Sequence, residues 1–584
     1  MKILFFAPHS AVWVHAFPEA LVAECLAKAG HEIVYVGCGR RLLDYCVPMS
    51  AHRIAPAADA ASKSVVCDKC GNAESAIRDA FGFRGGTLND WLDADDEAQA
   101  ASVAATISAA AALDLSLHGV DVGRVALYET LIELKKTSFD SFSDSDWLRY
   151  RQAVRNTVRA LLAVRRIVEI EKPDRIVTYN SLYGVNHAAS SYCELNGIPA
   201  IFLHAGVNLS RRLATLLIGR GTAVRFYESI LARWATERDH PRGGRVLSRV
   251  TDHFLELLRG RHVLAYSAAH TSNLSGLRAR LGIPAGKRII VATMSSPDER
   301  FAAEIVGVMK ASRQGTFESQ LDWILATANW VASRQDLFLV VRVHPRELPN
   351  KREAVTSEHA SRLRAALDSL PSNVSVNWPE AKVSLYDLAG ITDVFLNAWS
   401  AAGKEMTLLG IPVVTYASEM LYYPPDLNYQ ATCEAEYFVA VEQALEDGWN
   451  EDRVRAAYRW CAFEFELAPF DLSEAFPQAD HAGIRTAIRR FADRVLTRAG
   501  GGAAFRFDCW MRRPLPERES IVRVVTGAHE TRFDFEPSGA VVSREAETID
   551  LRREVGRLAA ALFPNRGRDI DSALQARLLA FAEG

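Results

Sequence analysis

Residues 173–206 read "PDRIVTYNSLYGVNHAASSYCELNGIPAIFLHAG". The β-rich run "RIVTY" leads to a polar Asn180, a helix-forming stretch follows, and "GIP" introduces a second β-rich run. A strand, a polar tip, a helix and a strand in this order are characteristic of open parallel α/β sheets. Near the start, "KILFFAP" and "HEIVYVGC" have the spacing of a right-handed βαβ unit. The first half of the chain therefore predicts a doubly wound parallel sheet.

The second half repeats this pattern. Its predicted strands include "KRIIVATMSSPDE" (287–299), "LFLVVRVHP" (337–345), "TDVFLNAWS" (392–400) and "IPVVTYA" (411–417). A chain of 584 residues is also too long for one hydrophobic core. We therefore predict an α/β protein with two facing Rossmann-like domains, each a doubly wound parallel sheet, at residues 1–260 and 261–450.

Three further segments complete the predicted organisation. An insertion occupies about 38–145 of the first domain, and a helical, arginine-rich crossover follows the second domain at 451–499. A glycine run at 500–502 separates it from a small α+β extension at 500–584, in which "SIVRVV" and "TRFDF" are predicted strands. The sequence assigns no role to this extension.

Composition excludes several classes of protein. Apolar residues make up 49% and charged residues 24%, and the net charge is -3, so nothing draws the chain toward nucleic acid. No apolar run reaches the 18 residues of a transmembrane helix, and the N-terminus lacks a signal-peptide pattern. The nine cysteines are odd in number, which fits a reducing compartment. A cytoplasmic protein is expected.

The motif "VRVHPRE" (341–347) places polar side chains where a buried strand ends. Pro345 stops the strand and fixes the turn, which leaves Arg342 and His344 at the carboxyl edge of the sheet. Ligands bind at this edge in doubly wound sheets. A surface histidine beside a proline turn is the alternative for His344 taken alone.

About fifty residues later, "SAAGKE" (400–405) lies at a predicted strand-to-helix junction. Backbone N–H groups there, around Gly403, and the helix dipole favour a phosphate, and Ser400 adds a hydroxyl donor. Glu405 could accept a hydrogen bond from a ribose or sugar hydroxyl. Taken singly these residues also suit an N-cap and an exposed helix. With His344 at an adjacent strand tip, they predict a nucleotide phosphate held without metal.

The "HP" at 344–345, followed by "S..GKE....GIP", resembles the donor-binding half of GT-B glycosyltransferases of bacterial surface polysaccharides. The similar groups are capsule-type Kdo transferases, bacterial sialyltransferases and teichoic-acid glycerophosphate transferases, which use cytidine-nucleotide donors. The resemblance implies that His344 and Ser400 contact the donor phosphate and that Glu405 lies near the nucleotide. These families often have a Ser-Ser pair where this chain has Ser400-Ala401.

The first domain must then supply the groups that bind or activate an acceptor. Its predicted strand tips offer His9, His15, Asn180 and His204. His9 is the preferred general base, because the first strand–loop–helix unit usually borders the cleft. In the second domain, "MSSPDE" brings Asp298 and Glu299 to the first strand tip, and Asp298 is the next candidate. Capping of a loop or helix is the alternative for each of them.

Four cysteines, Cys38, Cys46, Cys67 and Cys70, cluster in the insertion. The last two form "CDKCG", and Cys-x-x-Cys before a glycine is typical of the tight knuckle that sets two thiolates on one zinc ion. Four sulfur ligands would leave no open position, so such a zinc site would be structural. Free buried thiols are the alternative, and the sequence leaves both open.

The sequence thus predicts a glycosyltransferase, inverting or retaining, that uses a nucleotide-sugar donor such as CMP-Kdo and needs no cofactor for catalysis. Its acceptor would be a growing capsule, lipopolysaccharide or exopolysaccharide glycan, free or lipid-linked. Basic clusters such as "SRRLAT" could hold an anionic acceptor at the inner face of the cytoplasmic membrane. Three alternatives stay open: a nucleotide-sugar epimerase, a glycerophosphotransferase and a non-catalytic scaffold for polysaccharide assembly or export.

Overall fold

The computed structural model describes residues 1–262, 264–309, 316–351, 353–476, 484–535, 539, 542–564 and 572–584. Its strands are, in chain order, β1 (Lys2–Phe6), β2 (Glu32–Val36), β3 (Arg175–Tyr179), β4 (Ala200–Ala205), β5 (Thr215–Arg220), β6 (Arg288–Thr293), β7 (Leu337–Arg342), β8 (Val374–Asn377), β9 (Val394–Asn397), β10 (Val413–Thr415), β11 (Tyr429–Gln430) and β12 (Phe470–Asp471).

Helices connect and cover these strands. Before β6 they are α1 (Trp13–Lys28), α2 (Val47–Ala51), α3 (Ala60–Phe81), α4 (Ala94–Thr106), α5 (Ala109–Ala112), α6 (Val122–Val125), α7 (Leu127–Leu134), α8 (Asp144–Glu171), α9 (Gly184–Leu195), α10 (Ala223–Glu237), α11 (Gly244–Arg259) and α12 (Leu274–Arg280). After β6 they are α13 (Pro297–Ile305), α14 (Gln320–Ala332), α15 (Ala360–Ala366), α16 (Leu385–Ala389), α17 (Ala402–Leu408), α18 (Glu434–Asp447), α19 (Glu451–Ala462), α20 (Ile484–Ala499), α21 (Ala503–Met511), α22 (Arg518–Thr526), α23 (Arg544–Leu562) and α24 (Ala573–Glu583).

The first sheet has the strand order β12-β5-β4-β3-β1-β2. Strands β2, β1, β3 and β4 are parallel, whereas β5 runs antiparallel to β4, and β12 antiparallel to β5. Because β1 lies between β2 and β3, the direction of winding reverses there. A crevice is therefore expected at the carboxyl ends of β1 and β3. The insertion after β2 is helical and comprises α2 to α7.

The second sheet has the order β11-β10-β9-β6-β7-β8 and is parallel throughout. Its winding reverses at β6, which lies between β7 and β9. Thr293 at the end of β6 is in register with Arg342 of β7 and Asn397 of β9, so three polar residues meet at one edge. All six residues of β7 are buried, as expected for a strand covered by helices on both faces. The predicted pair of doubly wound α/β domains is confirmed.

The chain then returns to the first domain. Helix α19 continues into a π-helical turn, Phe463–Leu467, and β12 joins the edge of the first sheet. The predicted crossover at 451–499 therefore contains a strand as well as helices, and part of it, 477–483, lies outside the described residues. Among the residues that the structure describes, no helix is both long and apolar enough to cross a membrane.

The prediction of strands in the C-terminal extension was wrong. "SIVRVV" lies in helix α22, and "TRFDF" contains a single 3-10 turn, Arg532–Asp534. Ile521, Val524 and Val525 are buried, and their spacing is that of one helix face rather than of a strand. Packing of this face on α1 and β5 outweighs the β-propensity of its branched side chains.

Candidate functional site

A cavity of about 490 Å³ opens at the carboxyl ends of β6, β7 and β9, at the winding reversal of the second sheet. Tyr128 and Leu182 of the first domain also line it, so it lies between the two domains. Its volume is in the usual range for small-molecule sites. The lining from the second half of the chain includes Tyr266, Met294, Ser295, Ser296, Glu299, Arg300, Arg342, His344, Pro345, Tyr386, Trp399, Ser400, Ala401, Ala402 and Glu405.

Arg342 supplies a buried positive charge to this cavity. Its guanidinium donates to the Asn377 side-chain oxygen at 2.7 Å and to the Val383 carbonyl at 3.0 Å. No carboxylate of the described residues lies within ion-pair distance of it. Burial lowers its pKa to about 10, while Asp387 favours the charged form at longer range, so it stays cationic at neutral pH. A buried charge without an ion-paired carboxylate is costly, and an anionic ligand would offset that cost.

His344 combines a capping role with a place in the cavity wall. Its Nδ1 accepts from the Arg346 backbone N–H at 3.3 Å, which caps the 3-10 turn Pro345–Glu347. Burial, then the nearby cations Arg346, Arg342 and Lys135, lower its pKa to about 3. The ring is therefore neutral, with Nδ1 as acceptor and the proton on Nε2. His344 is thus a neutral hydrogen-bond donor rather than a cation.

Some residues of the SAAGKE segment line the cavity, and others pack against the rest of the domain. Ser400 lines the cavity and its hydroxyl donates to the Asn397 side-chain oxygen at 2.9 Å. Gly403 is buried outside the lining, and its N–H donates to the Ser400 carbonyl at 3.2 Å. A Cβ at Gly403 would overlap the Tyr423 hydroxyl and the Asn397 amide, so its visible role is close packing.

Glu405 lies in the cavity wall, where its carboxylate accepts from the Tyr386 hydroxyl at 2.9 Å. Burial raises its pKa above the usual value. Lys404, the preceding residue, points elsewhere and forms a buried ion pair with Glu464 of the π-helical turn. The first turn of α17 therefore directs one charged side chain into the cavity and the next toward the crossover.

Asp298 and Glu299 are neighbours with different surroundings. Asp298 is buried outside the cavity lining and pairs with Arg346, while Ser296 donates to the same carboxylate. Glu299 lines the cavity, and its carboxylate lies 3.2 Å from an Arg346 nitrogen. The carboxylate that the cavity presents is thus Glu299, one residue beyond the predicted Asp298.

Arg346 also joins the two domains beside the cavity. Its guanidinium donates to the Ile132 carbonyl of the first domain at 3.3 Å. In return, buried Lys135 of the first domain donates to the carbonyls of Arg346 and Val355, each at 2.6 Å. Backbone acceptors that converge on one buried ammonium fix the distance between the domains at this edge of the cavity.

The first-domain candidates gather in a second place. His15 stacks on Tyr179 with ring centres 4.2 Å apart, and His204 lies on the other side of Tyr179 at 6.3 Å. His9 is buried, contacts Tyr183 edge to face, and neither ring nitrogen has a partner among the described residues. None of these histidines lines the 490 Å³ cavity.

The fourth candidate on this side, Asn180, serves the local turn. Its backbone has a positive φ of 62°, and its side-chain oxygen accepts from the Leu182 N–H at 3.1 Å. The crevice at the ends of β1 and β3 encloses only about 10 Å³, close to the volume of one water molecule. The structure therefore brings the predicted acceptor-side histidines together, but in a closed crevice.

The four predicted zinc ligands line one cavity of about 460 Å³ in the insertion. Cys67 and Cys70 lie within helix α3, so the predicted knuckle turn was wrong. All four thiols are free, and burial raises the pKa of Cys38 to about 11 and that of Cys70 to about 12. Within the described ranges, no three His, Cys, Asp or Glu side chains are arranged to hold a metal ion. A structural zinc stays a prediction.

Several residues that line the cavity were not predicted from the sequence. Tyr128 belongs to the helical insertion, which showed no strand-tip signal. Tyr266 precedes the second sheet, and its ring lies edge-on to His344 at 5.6 Å. Tyr386 belongs to a short helix and reaches the cavity through its bond to Glu405.

No family model matches the chain, and no curated protein matches it. Among solved structures it is similar to UDP-GlcNAc 2-epimerase from Neisseria meningitidis bound to UDP-GlcNAc, with 12% identity over 80% of this chain and 96% of that chain and a TM-score of 0.27. It is also similar to KpsC, a β-Kdo 2,7 transferase from Thermosulfurimonas dismutans, with 14% identity over 57% of this chain and 89% of that chain and a TM-score of 0.27. TM-scores of 0.27 do not establish a common fold. The fold assignment rests on the strand order of the two sheets.

Proposed function

We propose that this chain is a glycosyltransferase that binds a nucleotide-activated sugar in the 490 Å³ cavity and transfers the sugar to a glycan. The observation that carries the proposal is Arg342, a buried guanidinium in the cavity wall that forms no ion pair with a carboxylate of the described residues. It lies at the winding reversal of a parallel sheet, where doubly wound domains bind their ligands.

The donor diphosphate or monophosphate would lie against Arg342, with the Nε2–H of His344 as a further donor. The Ser400 hydroxyl could add a donor if its proton turns from Asn397 to the phosphate. These groups are held in place before the ligand arrives, Arg342 by Asn377 and His344 by its cap. Donors fixed in advance stabilise the charge that develops on a departing phosphate at little reorganisation cost. The leaving group needs no metal in this mechanism.

The sugar and ribose would face the carboxylates of the wall. Glu405 can accept from a hydroxyl, since its bond to Tyr386 uses only part of its acceptor capacity. Glu299 takes the role of base that the sequence analysis gave to His9 and Asp298, because it alone of the three lines the cavity. Its carboxylate would remove the proton of the acceptor hydroxyl as that oxygen bonds to the sugar.

The acceptor would enter from the side of Tyr128 and Leu182 in the first domain. The motif resemblance favours a CMP-sugar such as CMP-Kdo as donor and a bacterial surface glycan, free or lipid-linked, as acceptor. Closure of the domains around both substrates would exclude water that otherwise hydrolyses the donor.

A nucleotide-sugar epimerase is the second candidate, and one observation favours it. Of the first domain, Tyr128, Leu182 and Leu257 are the lining residues among those the structure describes, so the cavity offers little surface to an acceptor. An epimerase needs no acceptor and would use the same phosphate contacts.

Isothermal titration of the full chain with CMP, CDP, UDP and GDP tests the shared phosphate site. Because charge-assisted hydrogen bonds contribute about 1.5–3 kcal/mol, Arg342→Gln should weaken the best nucleotide by roughly 10- to 150-fold. The matched control is Arg288→Gln at the opposite end of β6, where Arg288 is exposed and pairs with Asp336. Equal affinity in both variants would overturn the site.

Product analysis separates the two reactions. With the nucleotide sugar that binds, a transferase should release free nucleotide faster when an acceptor glycan is present. An epimerase would instead change the sugar configuration, read by NMR, while the nucleotide sugar stays intact. Tight binding of the nucleotide sugar without either reaction would favour the non-catalytic scaffold.

A further inference from the structure

Helix α20 exposes a continuous apolar stripe. Ile484, Ile488, Phe491 and Val495 recur at helical spacing and are 78%, 50%, 71% and 55% exposed. Side chains at such spacing lie on one face of a helix. Scattered exposed apolar residues are ordinary, but a contiguous exposed stripe of this kind marks an interaction surface.

A basic stripe runs beside the apolar one. Arg490, Arg494 and Arg498 are exposed, follow one another at intervals of four residues, and have no carboxylate partner in the part of the chain that the structure describes. Residues 484–499 contain five arginines and one aspartate, whereas the whole chain carries a net charge of -3. The helix is therefore a local positive surface on a slightly negative protein.

The opposite side of α20 is attached to the protein, which keeps the two stripes outward. Arg489 donates to both carboxylate oxygens of Asp508 in α21, at 2.7 and 3.0 Å. Asp508 in turn accepts from the Trp13 indole of α1 at 2.7 Å. The contact fixes α20 to the first domain, so its apolar stripe is not free to turn inward.

Helix α21 adds an exposed tryptophan to the same region. Trp510 is 77% exposed and packs its ring against Phe507 at 5.8 Å. Tryptophan is enriched at the boundary between lipid headgroups and acyl chains. We call Ile484, Ile488, Phe491, Val495, Arg490, Arg494, Arg498 and Trp510 the α20 surface.

We propose that the α20 surface binds the face of an anionic lipid bilayer, with α20 lying in the plane of the headgroups. The apolar stripe would enter the acyl boundary while the arginines contact lipid phosphates, which is the pattern of interfacial helices. A nucleic acid would match the arginines but leave the apolar stripe unused. A protein partner would match the apolar stripe, but no feature of the α20 surface favours a protein over lipid.

The proposal stands on its own residues, since none of the α20 surface lines the 490 Å³ cavity. The bilayer would lie against the first domain, to whose helix α1 the α20 surface is attached through Asp508.

Flotation of the full chain with phosphatidylcholine vesicles, with and without 30% phosphatidylglycerol, tests the surface. The wild type should float with anionic vesicles, and added salt should weaken the binding because exposed charges are screened. Replacing Arg490, Arg494 and Arg498 together by glutamine should weaken it roughly 100-fold. Ile488→Asp with Phe491→Asp should abolish it.

The matched control is Val439→Asp with Ile549→Asp, two exposed apolar residues on helices α18 and α23 that belong to no such stripe. It should float like the wild type. Unchanged nucleotide affinity in the Ile488→Asp, Phe491→Asp variant shows that this variant is folded and separates membrane binding from the cavity. Wild-type binding that equals that of both surface variants, or no flotation at all, would overturn the proposal. So would a dimer that dissociates on Phe491→Asp, or binding to RNA but not to vesicles.

Discussion

The two sheets reverse their winding in the same way, next to their first strand, yet the two crevices differ in volume from about 10 Å³ at β1 and β3 to about 490 Å³ at β6 and β9. In the first domain, His9, His15 and Tyr179 fill the crevice with stacked rings. In the second, β6 is followed by Met294 and two serines, and β9 by Ala398. Topology provides a crevice in both domains, and side-chain volume decides which one stays open.

The crevices also differ in charge. Burial lowers the pKa values of His9 and His15 to about 3 and raises that of Glu19 well above its usual value, so burial disfavours the charged form of all three groups in the first crevice. The second keeps the cation of Arg342. A closed neutral crevice supports the fold, whereas an open charged one is suited to a ligand.

The largest expected effect that tests this difference between the two crevices is a loss of stability at low pH. The histidines of the first crevice have folded-state pKa values near 3 to 4, below about 6.5 in the unfolded chain. The unfolded state therefore binds more protons below pH 6.5, and stability falls as pH falls through that value toward 4. Three such groups should contribute roughly 5 kcal/mol of the loss between pH 6.5 and 5, and His253 and His344, with pKa values near 3, add to it. Urea unfolding at both pH values measures it.

His15→Phe keeps a ring against Tyr179 but removes one titrating group. The loss of stability between pH 6.5 and 5 should shrink by about 1.5 kcal/mol, the contribution of one such histidine. An identical loss in the wild type and the variant would mean that the first crevice is not the acid-sensitive part of the molecule.

Next in size is the packing that shapes the open crevice. Gly403→Ala places a methyl group against Tyr423 and Asn397, and should cost about 1–3 kcal/mol of the free energy of unfolding. Gly71→Ala in helix α3 is the control, because a Cβ there meets nothing within 4 Å. That change should stabilise the helix by about 0.5–1 kcal/mol. Chemical denaturation measures the free energy of unfolding of both variants. Equal changes in the two would contradict the packing role of Gly403.

A smaller effect compares one histidine from each crevice. His344→Ala removes the Nε2–H donor from the open crevice and should weaken nucleotide binding about 10-fold, the value of a single good hydrogen bond. His9→Ala should leave affinity within about 2-fold, since His9 does not line the cavity. Titration calorimetry gives both numbers. A loss on His9→Ala as large as that on His344→Ala would make the first crevice part of the site.

The smallest expected effect concerns Glu19. Burial raises the pKa of its carboxyl well above the usual value, and one of its oxygens has no partner among the described residues. Its raised pKa means that stability is lost as pH rises above about 4.5, the value in the unfolded chain. Glu19→Gln removes this cost and should stabilise the protein at pH 7 by about 1 kcal/mol or less. A lower midpoint of thermal unfolding in the variant than in the wild type would contradict the raised pKa of Glu19.

Much of the site could be predicted because strand tips are a local property. Arg342, His344, Ser400 and Glu405 were placed at the carboxyl edge of a parallel sheet from the end of each apolar run, and all line the cavity. Asp298 could not be told from Glu299 in the same way. Which of two adjacent carboxylates faces the cavity depends on the direction of helix α13 over the sheet, a property of packing.

The insertion and the extension show where local patterns fail. Cys67 and Cys70 share one face of α3, because neighbouring helices stabilise a helix where the sequence predicts a turn. In the same way, "SIVRVV" follows the surface on which it packs rather than its own β-propensity.

The sequence by itself determined two α/β domains, the order of their strands along the chain, and the polar residues at the tips of the second sheet. These follow from the spacing of apolar runs, glycines and prolines, which acts over a few residues. The tertiary structure decided which crevice stays open and which residues of the insertion reach it. It also left one face of α20 uncovered. Such outcomes depend on contacts between residues hundreds of positions apart, and no local pattern records them.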